Sequence, residues 1–230
     1  MKFTFGIISS GQEDYNVHLV IDSIERLNIP EYEVLIIGNS DLSRMRTRII
    51  PFNENIKKKW ITKKKNLITE NAKYDNVVYT HDYVIFEPDW YQGFLHYGDD
   101  FKVCMTRMLN KDGTRYRDWC IWPHNDNFVD GIVTRQRGCL IPYDMTHLSE
   151  YMYFSGAYWV GKKDVMMEFP LNENLTWGPS EDVDWSLRIR EKYNFSINKY
   201  SSVKLLKYKD RAFDEPDELA IQQFMLIKGR

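Results

Sequence analysis

The sequence predicts an α/β fold, a mixed and mainly parallel sheet with helices on both faces, gathered into a single domain. Three observations predict it. Phe3 to Ile8 is a short apolar run that ends in Ser9-Ser10-Gly11, a strand and its turn. Val17, Val20, Ile21, Ile24 and Leu27 then recur at helical spacing, and Pro30 closes the segment. Tyr32 to Ile37 is a second apolar run, stopped by Gly38-Asn39-Ser40. Strand, helix and strand so close together form a crossover unit, and crossover units build parallel sheets. A chain of 230 residues buries enough surface for a real core without needing a second domain.

The remaining elements follow in order. Asn55 to Asn71 predicts a cationic helix, with Ile56, Trp60, Leu67 and Ile68 available to face inward. Two lysine triplets, Lys57 to Lys59 and Lys63 to Lys65, frame its middle, and most of them suit a solvated face. Val77 to Tyr79 opens a third strand that runs into Thr80-His81-Asp82-Tyr83. Pro88-Asp89-Trp90 starts a short helix reaching about Tyr97, and Phe101 to Thr106 is a fourth strand. Residues 107–150, rich in Arg, Asp, Gly and Trp, have weak periodicity and suit an excursion from the sheet. Regular structure returns at Tyr151 to Val160, at Val165 to Phe169 and in a helix from Ser180 to Tyr193. A strand near Val203 to Leu206 and a helix from Asp217 to Ile227 complete the pattern.

Composition narrows the function. The net charge of −2 gives no overall attraction to nucleic acid or to an acidic membrane. Aromatic residues reach 15 %, which suits a core and also surfaces that stack on sugar rings. Three cysteines without a C-x-x-C pair argue against a structural zinc site and fit reduced thiols in a cytosol-like compartment. The apolar run at the N-terminus is too short for a signal peptide, and no stretch is long enough to span a bilayer. A cytoplasmic protein, recruited peripherally if it acts at a membrane, is expected. Phosphate-loop, dinucleotide, zinc-protease and serine-hydrolase motifs do not occur.

The segment from Lys65 to Trp90, KNLITENAKYDNVVYTHDYVIFEPDW, resembles the donor-binding half of family 2 glycosyltransferases. Lys65-Asn66 stands where that family has a basic residue and Asn, Ala72 follows at the family's interval, and Pro88-Asp89-Trp90 matches its Pro-Asp-Trp. The family's Asp-x-Asp motif falls on His81, Asp82 and Tyr83, so only the central position is acidic. A second segment, from Phe154 to Arg188, is similar to the acceptor side shared by family 2 and galactosyltransferase-type enzymes. Its matching positions are Gly156-Ala157, Trp177-Gly178, Glu181-Asp182, Asp184 and Arg188.

The resemblance implies a GT-A fold, a Rossmann-like single domain, with residues 1–100 holding the nucleotide sugar and residues 101–230 the acceptor. It implies transfer of a sugar from a nucleoside diphosphate to a hydroxyl with inversion, the acceptor being a glycan, a lipid-linked saccharide or a protein. Asp182 takes the role of base and Glu181 helps orient the acceptor, with Gly156 and Trp177 beside it. Acids in a first helical turn can equally serve the helix dipole alone, and Asp184 can simply pair with Arg188 four residues on. Ser9, Glu13, Asn39, Lys65 and Asp82 are candidate donor contacts, since open parallel sheets bind ligands beyond their strand ends. Asp82, assisted by His81, is the candidate ligand set for a divalent cation, Mg²⁺ or Mn²⁺. In the excursion, Tyr116, Trp119 and Trp122 with Arg115, Arg117 and His124 suit carbohydrate recognition, a phosphate on the acceptor, or local core. A sugar-1-phosphate nucleotidyltransferase and a non-catalytic carbohydrate-binding module remain alternatives. The first usually has a Gly-rich basic N-terminal loop, unlike Ser9-Ser10-Gly11.

Overall fold

A computed structural model describes residues 1–11, 14–121, 139–147, 152–178 and 180–209. The helix expected from Asp217 lies outside the described residues, as do Glu13, Trp122 and His124.

The first four elements are β1 (Phe3–Ile8), α1 (Asp14–Glu25), β2 (Tyr32–Ile37) and β3 (Thr47–Ile50). Next come α2 (Ile61–Asn71), β4 (Asn76–His81), β5 (Val84–Phe86), α3 (Trp90–Tyr97) and β6 (Val103–Leu109). Three short strands follow, β7 (Cys120–Ile121), β8 (Cys139–Leu140) and β9 (Met152–Tyr153). Last are β10 (Tyr158–Lys162), α4 (Lys163–Glu168), α5 (Glu181–Ile189) and β11 (Phe195–Leu205). Eight strands form one sheet in the order β3-β2-β1-β4-β10-β6-β11-β5. Its first four strands are parallel, β10 runs against both its neighbours, and β6 and β11 are parallel again. β7, β8 and β9 make a separate small sheet.

Alternation along β1 sorts the helices onto the two faces. Phe3 and Phe5 point one way and meet Trp90 of α3 at ring-centroid distances of 5.0 and 5.3 Å. On the same side Ser23 of α1 accepts a hydrogen bond from the Phe86 backbone N–H at 3.0 Å. Gly6 points the other way, under α2, where an added Cβ would lie 2.2 Å from Ile68 Cγ2. The missing side chain lets α2 settle directly on the sheet. Tyr79, Trp159 and Trp185 continue this face as a stack, each pair of centroids 5.0 Å apart, and dock α5 beside α2. Each fully buried large apolar side chain of this kind contributes about 1.5–3 kcal/mol.

The structure corrects several boundaries. The helix expected from Asn55 begins only at Ile61, because Lys59 adopts a left-handed conformation (φ 56°) that ends regular structure before it. Lys57 turns instead to donate to the carbonyls of Glu173 and Asn174, at 2.8 and 2.9 Å. Lys64 and Lys65 are buried, not part of a solvated face. β11 is far longer than its apolar core suggested. Its polar middle is bulged, and Ser201 and Ser202 donate to the Trp90 carbonyl and the Asp89 carboxylate at 2.6 and 2.7 Å. The edge strand β3, half-buried and basic, has no clear period in the sequence.

Candidate active site

β1 and β4 end side by side, with Ile8 opposite His81, and β10 returns antiparallel with Tyr158 opposite Thr80. The turn just before β10 therefore brings Gly156 to the end of β4. α5 begins against that turn. Three residues before the helix Gly178 has φ +114°, and Ser180 is left-handed at φ 57°, so the chain bends sharply to present Glu181 and Asp182. The bend is held from behind: the Phe154 N–H donates to Ser186 Oγ at 3.0 Å, and Trp185 Nε1 donates to the Phe169 carbonyl at 2.9 Å.

Gly156 is the junction. Its N–H donates to Asp182 Oδ2 at 2.7 Å, while Asp182 Oδ1 accepts from the Val183 N–H at 2.9 Å. Its carbonyl accepts from Lys65 Nζ at 2.9 Å. A Cβ at this position would stand 2.9 Å from Glu181 Oε1 and 3.2 Å from Asp182 Oδ2, so glycine is what the close approach requires.

These elements enclose an open cavity of about 440 Å³. His81 and Tyr83 line it from the end of β4, together with Gly156, Glu181 and Asp182. Trp177 stands at the rim, 53 % exposed, with the Lys59 ammonium 4.6 Å from its ring centre. Tyr116, Arg117, Tyr153 and Lys209 complete the wall.

Charge is distributed unevenly across this space. Burial raises the proton affinity of the Glu181 carboxyl, Lys65 opposes the shift and Asp182 adds to it. Burial lowers that of Lys65, whose ammonium lies 4.4 Å from the Trp159 ring centre, with Glu181 and Asp182 compensating. His81 is held well below the ordinary imidazole value by burial, then by Lys65 and Lys209, so it is neutral at pH 7. Lys209 is pushed down to about 8 by burial, with Lys207 and Arg117 adding to the effect.

Of the residues singled out in the sequence, Asp182, Glu181, Gly156, Trp177 and His81 converge on the cavity. Asp82 does not line it. Side chains alternate at a strand end, so His81 and Tyr83 face the space, and the Asp82 N–H donates to the Ile8 carbonyl at 3.3 Å. Lys65 sits behind Gly156 and acts on the cavity through it. Ser9 and Asn39 follow directly on the ends of β1 and β2 and do not line the cavity. Ser9 is buried, accepts from the Gly11 N–H at 3.1 Å, and gives its carbonyl to Lys64 Nζ at 2.6 Å. Asn39 is exposed past the end of β2.

Tyr116 and Arg117 belong to the wall, whereas Trp119 is core, donating to the Met145 carbonyl at 3.0 Å, and Arg115 pairs with Asp118 at 2.8 Å. Asp184 pairs with Arg188 at 3.1 Å. Tyr153 and Lys209 escaped the sequence reasoning. The signal for Lys209 was its spacing: Lys207 and Lys209 alternate just past β11, and both ammonium groups lie over Tyr83, at 4.4 and 4.1 Å.

The donor set at the end of β4 does not fit a divalent cation. Asp82, the one carboxylate of the motif, does not line the cavity, and an imidazole and a phenol stand at the outer positions. Lys209 Nζ donates to the Tyr83 hydroxyl, so a cation of the protein already occupies that side. Among the described residues, no three His, Cys, Asp or Glu side chains converge as a metal site.

Comparison with solved structures places this architecture. Residues 1–349 of S. aureus TarS match with a TM-score of 0.57 at 11 % identity, covering 88 % of this chain and 60 % of that one. The same TarS fragment in complex with UDP gives 0.58 at 12 % identity, covering 89 % and 61 %. GalNAc-T7 with UDP, GalNAc and Mn²⁺ gives 0.66 at 9 % identity, covering 97 % and 47 %. This chain thus spans about half to three-fifths of the length of the chains it matches. No family model matches the sequence, and no curated protein matches it. The likeness shows the fold: the chain has the GT-A fold of glycosyltransferases, in one domain.

Proposed function

We propose that this protein transfers a sugar from a nucleoside diphosphate to an acceptor hydroxyl, with inversion at the anomeric carbon. The single observation that carries the proposal is the Gly156–Asp182 contact, which fixes a carboxylate on the wall of a cavity shared with the end of β4. An inverting transfer needs a base within hydrogen-bond reach of the attacking hydroxyl. Asp182 suits that role because two backbone N–H groups hold its carboxylate in place, and each oxygen retains a lone pair for the acceptor. The hydroxyl proton passes to Asp182 as its oxygen bonds to the anomeric carbon. The bond from that carbon to the diphosphate breaks, and the nucleoside diphosphate leaves.

Glu181, deeper and only 5 % exposed, orients a second hydroxyl of the acceptor sugar, and Trp177 offers a ring at the rim. Ser9 and Asn39 suit the nucleoside, because they lie beyond the ends of parallel strands. Two matching structures, one in complex with UDP and the other with UDP, GalNAc and Mn²⁺, support this class of donor. A glycan, a lipid-linked saccharide or a protein fits as acceptor.

The test is a donor-hydrolysis and transfer assay with a panel of nucleotide sugars. Asp182→Asn is expected to lower turnover by about 10²–10⁴-fold while leaving nucleotide binding near normal. Burial raises the proton affinity of Glu181, which also suits a base, so Glu181→Gln is assayed beside it. A larger loss of turnover in Glu181→Gln than in Asp182→Asn transfers the base role to Glu181. Full turnover in both variants removes the proposal.

A further inference from the structure

The outer positions of the altered motif, His81 and Tyr83, face the cavity, and Tyr83 does so with a cation on it. Lys209 Nζ donates to the Tyr83 hydroxyl and lies 4.1 Å from the centre of the same ring. Its backbone is fixed as well: the Lys209 N–H donates to Asn110 Oδ1 at 2.9 Å, and Asn110 is fully buried. Arg117 joins the same wall, with its guanidinium 5.5 Å from the Tyr116 ring centre, and Lys209 lies 5.6 Å from that ring. Lys207 lies over the same Tyr83 ring at 4.4 Å but is exposed and outside the cavity lining. Two cations, Lys209 and Arg117, are thus held on aromatic faces in the cavity wall. Mutual repulsion between the two is relieved when an anion enters between them.

We propose that the ammonium of Lys209, with the guanidinium of Arg117, neutralises the diphosphate of the nucleotide donor, so that neither donor binding nor leaving-group departure requires a divalent cation. The inference rests on the glycosyl-transfer reading and assigns the charge partner of its leaving group. When the anomeric carbon–oxygen bond breaks, its electron pair stays on the terminal phosphate oxygen. Lys209 and Arg117 supply the hydrogen bonds and positive charge that the developing anion needs, and no proton has to move to it. His81, neutral between them and Gly156, adds no competing negative charge.

Calorimetric binding of uridine, guanosine, thymidine and adenosine diphosphates, in EDTA and again with excess Mn²⁺, tests this. At least one diphosphate is expected to bind wild type with a Kd that changes less than about threefold between the two buffers, and a charge-assisted contact predicts about tenfold or greater weakening in Lys209→Met. Lys209→Arg, which keeps the charge, is expected to restore most of the affinity and guards against a folding defect in the first variant. Binding that is lost in EDTA and recovered with Mn²⁺ overturns the inference and leaves the glycosyltransferase proposal standing. Wild-type affinity in Lys209→Met also overturns it. If no diphosphate binds in either buffer, both fall.

Discussion

The Gly156 N–H and Asp182 Oδ2 lie 2.7 Å apart, and the same residue gives its carbonyl to Lys65 at 2.9 Å. One residue, through the two peptides that flank it, therefore couples the acidic start of α5 to a buried cation on α2. The sheet supplies the rigidity, because Gly156 lies in the turn that leads into β10. Any change that moves this residue moves both charges together.

Gly156→Ala tests that coupling directly. The new methyl would sit 2.9 Å from Glu181 Oε1 and 3.2 Å from Asp182 Oδ2, closer than either can tolerate without shifting. Overpacking of this kind costs about 1–3 kcal/mol of stability. Displacement of a base by about 1 Å costs on the order of 10²-fold in rate, and smaller shifts cost proportionately less. Turnover is thus expected to fall by a larger factor than nucleotide affinity. Equal losses in both, or neither, would show that Gly156 is not a positioning element.

Lys65→Met removes the cation behind this residue. A hydrogen bond to the Gly156 carbonyl is lost, and Glu181 loses the charge that opposes its upward shift. Stability at pH 7 is expected to fall by about 1–3 kcal/mol. Glu181 has a folded-state pKa above its unfolded value, so its contribution is intact below the unfolded pKa. That contribution is lost as pH rises through the folded one. With Lys65 gone the window widens upward, and the variant loses more stability than wild type as pH rises through it. Urea midpoints across that range report it. The double variant Lys65→Met with Glu181→Gln should regain a flat profile, and a slope that persists there would assign the effect to another group.

Much of this was legible in the sequence for a simple reason. The buried strands β1, β2 and β4 are continuous apolar runs bounded by polar turns, and α3 begins at its Pro-Asp-Trp. Glu181 and Asp182 were legible because Trp177-Gly178 marks the bend that presents them. What escaped depended on contacts remote in sequence. Lys64 looks like a solvent-facing charge until its partner at Ser9 is known, and the burial of Lys65 behind Gly156 is equally invisible in the sequence. Lys209 enters the cavity only because β11 pairs with β5, Leu205 opposite Val84, and returns the chain to Tyr83. Which of His81, Asp82 and Tyr83 face the cavity depends on strand register, which three adjacent letters do not reveal.

Gly6→Ala is a test of the fold beneath the site. The added Cβ would lie 2.2 Å from Ile68 Cγ2, so α2 must lift from β1 or Ile68 must leave its rotamer. A loss of about 1–3 kcal/mol is expected. Lys65 lies one turn before Ile68 on the same helix, so lifting α2 also lengthens its contact with Gly156. Pairing the change with Ile68→Val removes one methyl from the clash. Denaturant midpoints of the pair are expected to lie above those of Gly6→Ala alone, and a lower midpoint would mean that the two positions do not compete for space.

Trp185→Leu separates the docking of α5 from the chemistry at its start. Trp185 stacks on Trp159 with centroids 5.0 Å apart, and its Nε1 donates to the Phe169 carbonyl at 2.9 Å. Leucine keeps an apolar contact but loses the ring stack and the hydrogen bond, worth together about 2–3 kcal/mol. The first turn of α5, which carries Glu181 and Asp182, is then held mainly by Gly156 and by the Phe154–Ser186 contact at 3.0 Å. Turnover at a temperature well below unfolding is expected to drop about tenfold or more, since catalytic rate is sensitive to small losses of alignment. Nucleotide affinity should stay within about threefold, because the donor contacts proposed at Ser9, Asn39 and Lys209 do not rest on α5. A variant that unfolds earlier yet turns over normally at low temperature would show that the acids are aligned by the Gly156 peptide alone, with no help from the helix behind them.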